Sequence, residues 1–325
     1  MSSSTFRQGL VFDVTQNTQL PTIHDILTVP NPKLLVTPAR PQHMRPDRTA
    51  NKVDQDGLSR WDEFNLQVLS DAFGDILNRH VHPSNHAQPG PFTINGLGDL
   101  RAMCIRSIFP LLTQPIAIGA AEIGSRINYI FPPIYAEQNQ SLRISRISAL
   151  SFMADFNGSP RTQLVVSCVL HGTQWNSTAL SGSLHSAALL PIRRIATYCI
   201  LANTRYGFIL TAQELVVVRV SGTAYEVQKP GQVEWQAIPW DASGPNVLTV
   251  TLSLWFLVML SLRDTCRSIC APDQVPPLHR WWKYQKPQVT IFHHHISMRE
   301  SFDHPAGASV EEKLFRDKSS SWLLA

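Results

Sequence analysis

The chain has 325 residues, of which 43% are hydrophobic and only 16% charged, with a formal net charge of +4. This excludes global disorder, leaves room for one large domain or two ordinary ones, and supplies enough apolar side chains for a sizeable core. The mild positive balance permits an anionic partner without requiring one, and Arg, which outnumbers Lys, suits bidentate contacts to phosphate or carboxylate.

Residues 1–55 read as an extended arm: prolines recur at 21, 30, 32, 38, 41 and 46, and no hydrophobic period is sustained. A helix is predicted over 58–80, where Trp61, Phe64, Val68, Leu69, Ala72 and Ile76 keep three- and four-residue spacing and Ser59, with Asp62 and Glu63 following, resembles an N-terminal cap. A loop rich in Pro, Asn and His covers 82–91, and a second helix over 97–112 should stop before Pro115. Pro132-Pro133 breaks the next stretch, and 142–147 suits a strand or a helix. From 150 onward strands dominate. They fall at 150–156 and at 164–170, a β-branched run fit for a central strand. After a Ser/Thr/Gly-rich loop at 172–186 comes a helix over 187–201. A meander follows at 206–211, 215–220, 225–227 and 233–238, with turns at Ala212-Gln213, Ser221-Gly222 and Pro230-Gly231. An apolar helix over 247–262 closes the domain. The remainder, 271–325, reads as an irregular, partly disordered tail carrying the basic-aromatic run Arg280-Trp281-Trp282-Lys283-Tyr284-Gln285-Lys286.

Five widely spread cysteines (104, 168, 199, 266, 270) are an odd number and no disulfide framework, which fits a reducing compartment. Cys266 and Cys270 lack a second pair at zinc-ligand spacing. The opening MSSSTFRQGLVFDV has no apolar signal-peptide core. The uncharged stretch 243–262 holds an apolar core of only 16 residues, 247–262, where a span needs about 20. It reads as a buried helix, and the expectation is an intracellular protein, cytoplasmic or nuclear, with no membrane partner.

The segment 198–220, YCILANTRYGFILTAQELVVVRV, is followed by Ile238-Pro239-Trp240 and the helix LTVTLSLWFLVMLSL. It resembles a family of uncharacterised fungal proteins with a PD-(D/E)XK, restriction-endonuclease-like domain. In that family a helix leads into a TRYGFI strand, an ELVVVR strand follows, and a Pro-Trp pair precedes a Trp-containing apolar helix. Leu34-Leu35-Val36-Thr37-Pro38 is similar to a segment upstream of the same domain. The resemblance spans 25–265 and is dense over 198–262. It implies an α/β fold with a central mixed β-sheet flanked by helices, occupying 56–270 between the extended Pro-rich arm 1–55 and the tail 271–325. It also implies a site: an Asp at the end of one strand, an acidic residue and a Lys two apart on the next, Mg²⁺ on the carboxylates, and a polar residue from the following helix. Carried onto this sequence, with Gln174-Trp175-Asn176 anchoring the register, those positions fall on Asp155, Cys168, Leu170 and Arg194.

No shift of that strand restores the pattern, because there is no Asp or Glu between Asp155 and Glu214 and no Lys between Lys52 and Lys229. The expectation is a catalytically degenerate nuclease-like protein, without cofactor unless Mg²⁺ serves a residual activity. It would act as a binding module for nucleic acid or for a protein. Arg193, Arg194 and Arg205, and Arg280, Lys283 and Lys286 in the tail, interleave charge with aromatics as phosphate contact and base stacking require; the plainer reading is an amphipathic surface and a strap. The alternatives are a metal-dependent nuclease whose acidic site is relocated to Glu122, Glu137 and Asp155, and a purely structural or protein-interaction module. Other constellations read blandly. His80, His82 and His86, and likewise His293, His294 and His295, lack an acidic or Cys complement and are not taken as metal ligands. Gly96-Leu97-Gly98 lacks the third glycine of a phosphate cradle, and Ser183 is outside any Gly-x-Ser-x-Gly elbow.

Overall fold

A computed structural model describes residues 20–38, 53, 55–82, 90–139, 149–156, 161–171, 175–181, 187–222, 232–286 and 288–313. The segment 142–147, which suits a strand or a helix, the expected strand at 225–227 and the turn at Pro230-Gly231 lie outside these residues, as do His86 and Ser183. In chain order the elements are α1 (Ile23–Leu27), β1 (Leu34–Val36), β2 (Leu58–Arg60), α2 (Leu66–Leu77), β3 (Phe92–Ile94), α3 (Leu97–Met103), a π-helical turn (Cys104–Ile108) and α4 (Phe109–Ile127). They continue with β4 (Ile134–Asn139), β5 (Ala149–Ala154), β6 (Thr162–Val169), a 3₁₀ turn (Ser177–Leu180), α5 (Leu190–Leu201), β7 (Tyr206–Leu210), β8 (Glu214–Ser221) and β9 (Gln232–Pro239). The last are α6 (Val250–Ser261), α7 (Asp264–Arg267), β10 (Arg280–Gln285), β11 (Thr290–His294), β12 (Glu300–Ser301) and β13 (Ser309–Lys313).

The fold is mixed α/β. Seven strands form one sheet in the order β2-β9-β8-β7-β6-β5-β4. β6 and β7 run parallel, as do β2 and β9, and the other neighbours are antiparallel. Burial on both faces explains the unbroken apolar strands. In β8, Leu215 and Val217 enter the core beneath α6, α4 and α2, whereas Val216, Val218 and Val220 enter the core beneath α5. Gly207 on β7 lets α5 settle on the sheet, since a Cβ there would lie 3.0 Å from both Cys199 Sγ and Ile195 Cγ1.

Every residue of α6 is buried. The sequence expectation of a core helix rather than a span therefore holds for this segment, and Thr249 caps it by accepting from Leu252 N at 3.1 Å. Two helix expectations are corrected. The 58–80 helix begins only at Leu66: Ser59 lies in β2, paired with β9, and the cap is Asn65, whose side chain accepts from Val68 N. The 97–112 helix does not stop before Pro115. Proline in a helix interior costs about 3 kcal/mol, but Pro115 is buried, its carbonyl accepts the Trp255 indole N–H at 2.9 Å, and packing against α6 outweighs the lost backbone bond. The continuous helical run Leu97–Ile127 is, by length and composition alone, long and apolar enough to cross a membrane, and half of its apolar window is buried inside the molecule.

Both ends of the described chain are more ordered than the composition suggests. In the arm, α1 carries a Thr22–Asp25 capping box and β1 pairs with β3. Trp240 of the Pro-Trp pair holds the arm, donating from Nε1 to Pro32 O while its carbonyl accepts from Asn31 Nδ2. The tail is not irregular: β12-β11-β10-β13 form a second sheet. Trp281 is buried, and Trp282, on the other face, is covered by Lys313 Nζ at 3.8 Å from the ring centroid. The segment is fastened to α2 and α4 by Ser297 Oγ–H to Ala72 O, Arg299 Nη1 to Asp71 O and Arg126 Nη1 to Ser297 O.

Candidate functional site

Cys168 and Leu170 lie on the α5 face of β6 and are fully buried there. Arg194, projecting from α5, is also buried and hydrogen-bonds the Cys168 thiol. Burial pushes that thiol up to about 11 and the guanidinium pulls the other way without cancelling it, so the sulfur is a neutral thiol at physiological pH. Asp155 is elsewhere. It follows β5 at the end where Ala154 pairs with Thr162, the start of β6. Cys168 is six residues farther along, so the two positions are separated by about 20 Å at 3.3 Å per residue. Of the four site positions the structure unites Cys168, Leu170 and Arg194, and it leaves Asp155 out.

The three acids of the relocated site each have their own partner. Glu122 pairs with Arg79 at 2.9 Å, Glu137 with Arg161 at 3.1 Å, and Asp155 accepts from the Tyr135 hydroxyl at 3.1 Å. Among the described residues no three His, Cys, Asp or Glu side chains gather as metal ligands. A neutral thiol, a guanidinium, a leucine and one distant carboxylate do not fit Mg²⁺, a hard ion that takes several oxygens.

The expected phosphate-binding cations are largely engaged inside the molecule. Arg193 Nε donates to Val53 O at 2.8 Å, and Arg205 is buried, donating to Ser268 O and Thr265 O. Arg280 is ion-paired with Glu311, and Lys283 with Glu312 at 2.7 Å. Arg280 and Lys283 lie three apart on one strand and so face opposite sides of the small sheet. Lys286 follows β10 and is half-buried. The six therefore do not form one exposed basic face.

The histidine groups divide similarly. His80 Nδ1 contacts Leu20 O at 2.7 Å. His293 faces Tyr284 and Glu300, whereas His294 is completely buried, its Nε2 on Leu278 O and its Nδ1 accepting from Ser297 N. The N-terminus of α3, behind Gly96, is capped by Asp99, which accepts from the backbone N–H groups of Asn95 and Gly96.

Sequence reasoning missed an apolar groove of about 570 Å³ between α4 and the segment 128–134. Its floor is the small-residue stripe Ala117, Ala120, Ala121 and Gly124, and its wall carries Phe131 and Ile134. Ile130 at the rim is 93% exposed. No ionised side chain occurs between Arg106 and Glu122, so the helix presents an uncharged surface. The signal was visible as a charge-free Ala/Gly-rich helix, but which of its faces stays open depends on where α6 packs.

In three comparisons, with protein-family models, with curated proteins and with solved structures, nothing matches this chain.

Proposed function

We propose that the chain is a restriction-endonuclease-like protein whose usual metal site is degenerate, and that it works as a non-catalytic binding module for a protein partner. The carrying observation is the Cys168–Arg194 contact: a buried cation faces a neutral thiol where the resemblance would put an acidic residue and its Mg²⁺. The element order supports the fold reading. The strand ending near Asp155, the next strand, the TRYGFI strand and the ELVVVR strand are successive neighbours in one sheet, with the Arg194 helix joining the second to the third and Pro-Trp and the apolar helix following. A protein is preferred to nucleic acid because Arg205, Arg280 and Lys283 are engaged internally, whereas the accessible groove is apolar and uncharged. The partner's chemistry follows: an uncharged apolar ridge that fills the space over Ala121 and Gly124.

Two assays test this. Incubation with plasmid DNA or RNA in Mg²⁺ or Mn²⁺ should give no cleavage; metal-dependent cleavage abolished by Asp155→Ala refutes the degenerate site. Titration of labelled single- and double-stranded oligonucleotides between 50 and 200 mM salt should show no steeply salt-dependent binding. A loss of about 10³-fold across that range, as counterion release produces for some six phosphate contacts, would make nucleic acid the partner instead.

A further inference from the structure

The main sheet ends on β4, which has β5 on one side and no strand on the other among the described residues. An edge strand turns alternate backbone N–H and C=O groups outward, which makes it a template for pairing unless it is short, charged or interrupted by proline. The other edges of this protein carry such protection. β1, β2 and β3 are three residues long and β12 is two. β13 is longer, but it carries Glu311, Glu312 and Lys313. β4 has none of these safeguards. It runs for six residues without proline or lysine, and its one charge, Glu137, is met by Arg161 at 3.1 Å.

The space beside this edge suits the side chains of another strand. Ile134 and Ala136 face the core layer that holds α4. Tyr135 and Glu137 alternate to the opposite face, where they meet Asp155 and Arg161. Ile134 lines the groove of about 570 Å³ and no residue of β5 does, so the groove opens along the outer side of β4. On the helix side its lining includes Ala117, Ala121 and Gly124. None of these has a side chain long enough to reach the β4 backbone or to obstruct a chain laid beside it. A strand added at the usual spacing of about 4.8 Å sends every second side chain into the groove. The others point toward the Tyr135–Asp155 and Glu137–Arg161 pairs.

We propose that β4 is a docking edge for an extended segment of a partner protein, which pairs with it as an additional strand of the main sheet. The inference rests on the protein-partner reading above and specifies its form. The chemistry of the segment follows from the two faces it meets. Aliphatic side chains at alternate positions fill the groove, whose lining holds no ionised group. Neutral hydrogen-bonding side chains such as Thr or Asn lie between them, over the already paired Glu137 and Asp155. Backbone bonds to β4 supply affinity and the groove supplies selectivity. A helix in the same groove leaves the β4 edge unused. A second copy pairing through its own β4 offers a poor ridge, because Ile134 is the one large aliphatic residue of that strand.

A library of linear decapeptides displayed on phage and selected against the full chain supplies the probe. Recovered sequences should alternate aliphatic and neutral polar residues. They should bind at least about tenfold more weakly to Ala121→Arg, which fills the groove from an exposed position and should leave the thermal melt unchanged. Residue-resolved amide exchange then reads the edge itself. The tightest peptide should slow exchange at least about tenfold at every second residue of 134–139, where the N–H faces outward, and leave the intervening amides unchanged. Methylating alternate peptide nitrogens should weaken binding at least about tenfold in one phase and little in the other, since each lost backbone bond is worth roughly a factor of three to ten. Peptides with three- and four-residue apolar spacing that lose affinity for Ala121→Arg, without any change in β4 exchange, overturn strand pairing and keep the groove as a protein site. If no peptide is recovered, or if binding ignores Ala121→Arg, both readings fall. Concentration-dependent dimers with alternate β4 amides slowed in the absence of peptide make a second copy the occupant and overturn the choice made here.

Discussion

His294 lies between α2, Leu278 and Trp281, and burial holds its imidazole down to about 3 from an ordinary value of 6.5. Its Nδ1 accepts from Ser297 N and its Nε2–H donates to Leu278 O, a pattern that only the neutral ring satisfies. The unfolded chain protonates this histidine below about pH 6.5 and the folded chain does not until about pH 3, so stability is complete above pH 6.5 and is lost as pH falls through that window. The loss at pH 5 is RT ln[(1 + 10^1.5)/(1 + 10^−2)], about 2 kcal/mol relative to pH 7.5. Urea unfolding at 25 °C, followed by Trp fluorescence at pH 7.5, 6 and 5, measures it by linear extrapolation. The comparison is with His294→Asn, which cannot titrate. The variant starts lower because the bonds to Leu278 and Ser297 are altered, but its decline between pH 7.5 and 5 should be smaller by about 2 kcal/mol. His295, also held low by burial and then by the adjoining His294, Arg280 and Arg263, contributes to both proteins and largely cancels. Equal pH slopes for parent and variant would refute the assignment of His294 as a buried neutral ring.

Three further outcomes follow from packing. Gly207→Ala should cost about 1–3 kcal/mol because its Cβ would meet Cys199 and Ile195 at 3.0 Å, whereas Gly98→Ala, with nothing within 4 Å, should be neutral or slightly stabilising; thermal melts of both separate close approach from backbone entropy. Alkylation of the folded protein at pH 8 with peptide mapping should mark Cys270, which is half-buried, at least about 100-fold faster than Cys104 or Cys168, which are fully covered and pushed up to about 12 and about 11; equal labelling would show that α5 does not seal Cys168. Ile130→Asp should leave stability within about 0.5 kcal/mol because the side chain is 93% exposed. The same substitution should abolish photo-crosslinks formed by a partner to a reactive side chain placed at Ala121, and persistence of those crosslinks would remove the groove as the docking surface.

Much of the architecture was legible because its elements are periodic or bounded by turns. The strands 206–211, 215–220 and 233–238 and the helix over 247–262 were placed within about three residues, since apolar runs between turns allow few other arrangements. The failures share a cause in tertiary packing. Pro115 signals a helix end locally, yet the Trp255 indole and the face of α6 carry the helix past it. The run 280–286 looks like a basic strap, because its charges are plain in sequence and its strand partners are not: Glu311 and Glu312, which neutralise Arg280 and Lys283, come about thirty residues later. The site was the least legible part. Asp155 was placed at a strand end correctly, but which end of β6 it adjoins depends on antiparallel pairing, and that puts it beside Thr162 rather than Cys168.

The TRYGFI segment shows how residues of a distinctive motif can all be occupied in packing. Thr204 Oγ1 donates to Leu164 O, Arg205 secures the chain after α6, and Tyr206 stacks on Trp61. Gly207 admits α5, and Phe208 and Ile209 enter the two cores. Each residue has a packing duty that would persist with or without catalysis. The same holds for the shortage of charge. The acid-free stretch 156–213 contains β6, buried on both faces over most of its length, and α5, eight of whose residues are buried. Carboxylates would be expensive there in any protein with this layering, so the missing acids alone do not distinguish a lost site from an ordinary core. A buried guanidinium is also costly, yet Arg194 is present, interacting with the Cys168 thiol in the layer between β6 and α5. Burial explains why acids are absent from this region, and Arg194 and Arg205, both buried, show that its cations are guanidinium groups held by neighbouring polar atoms.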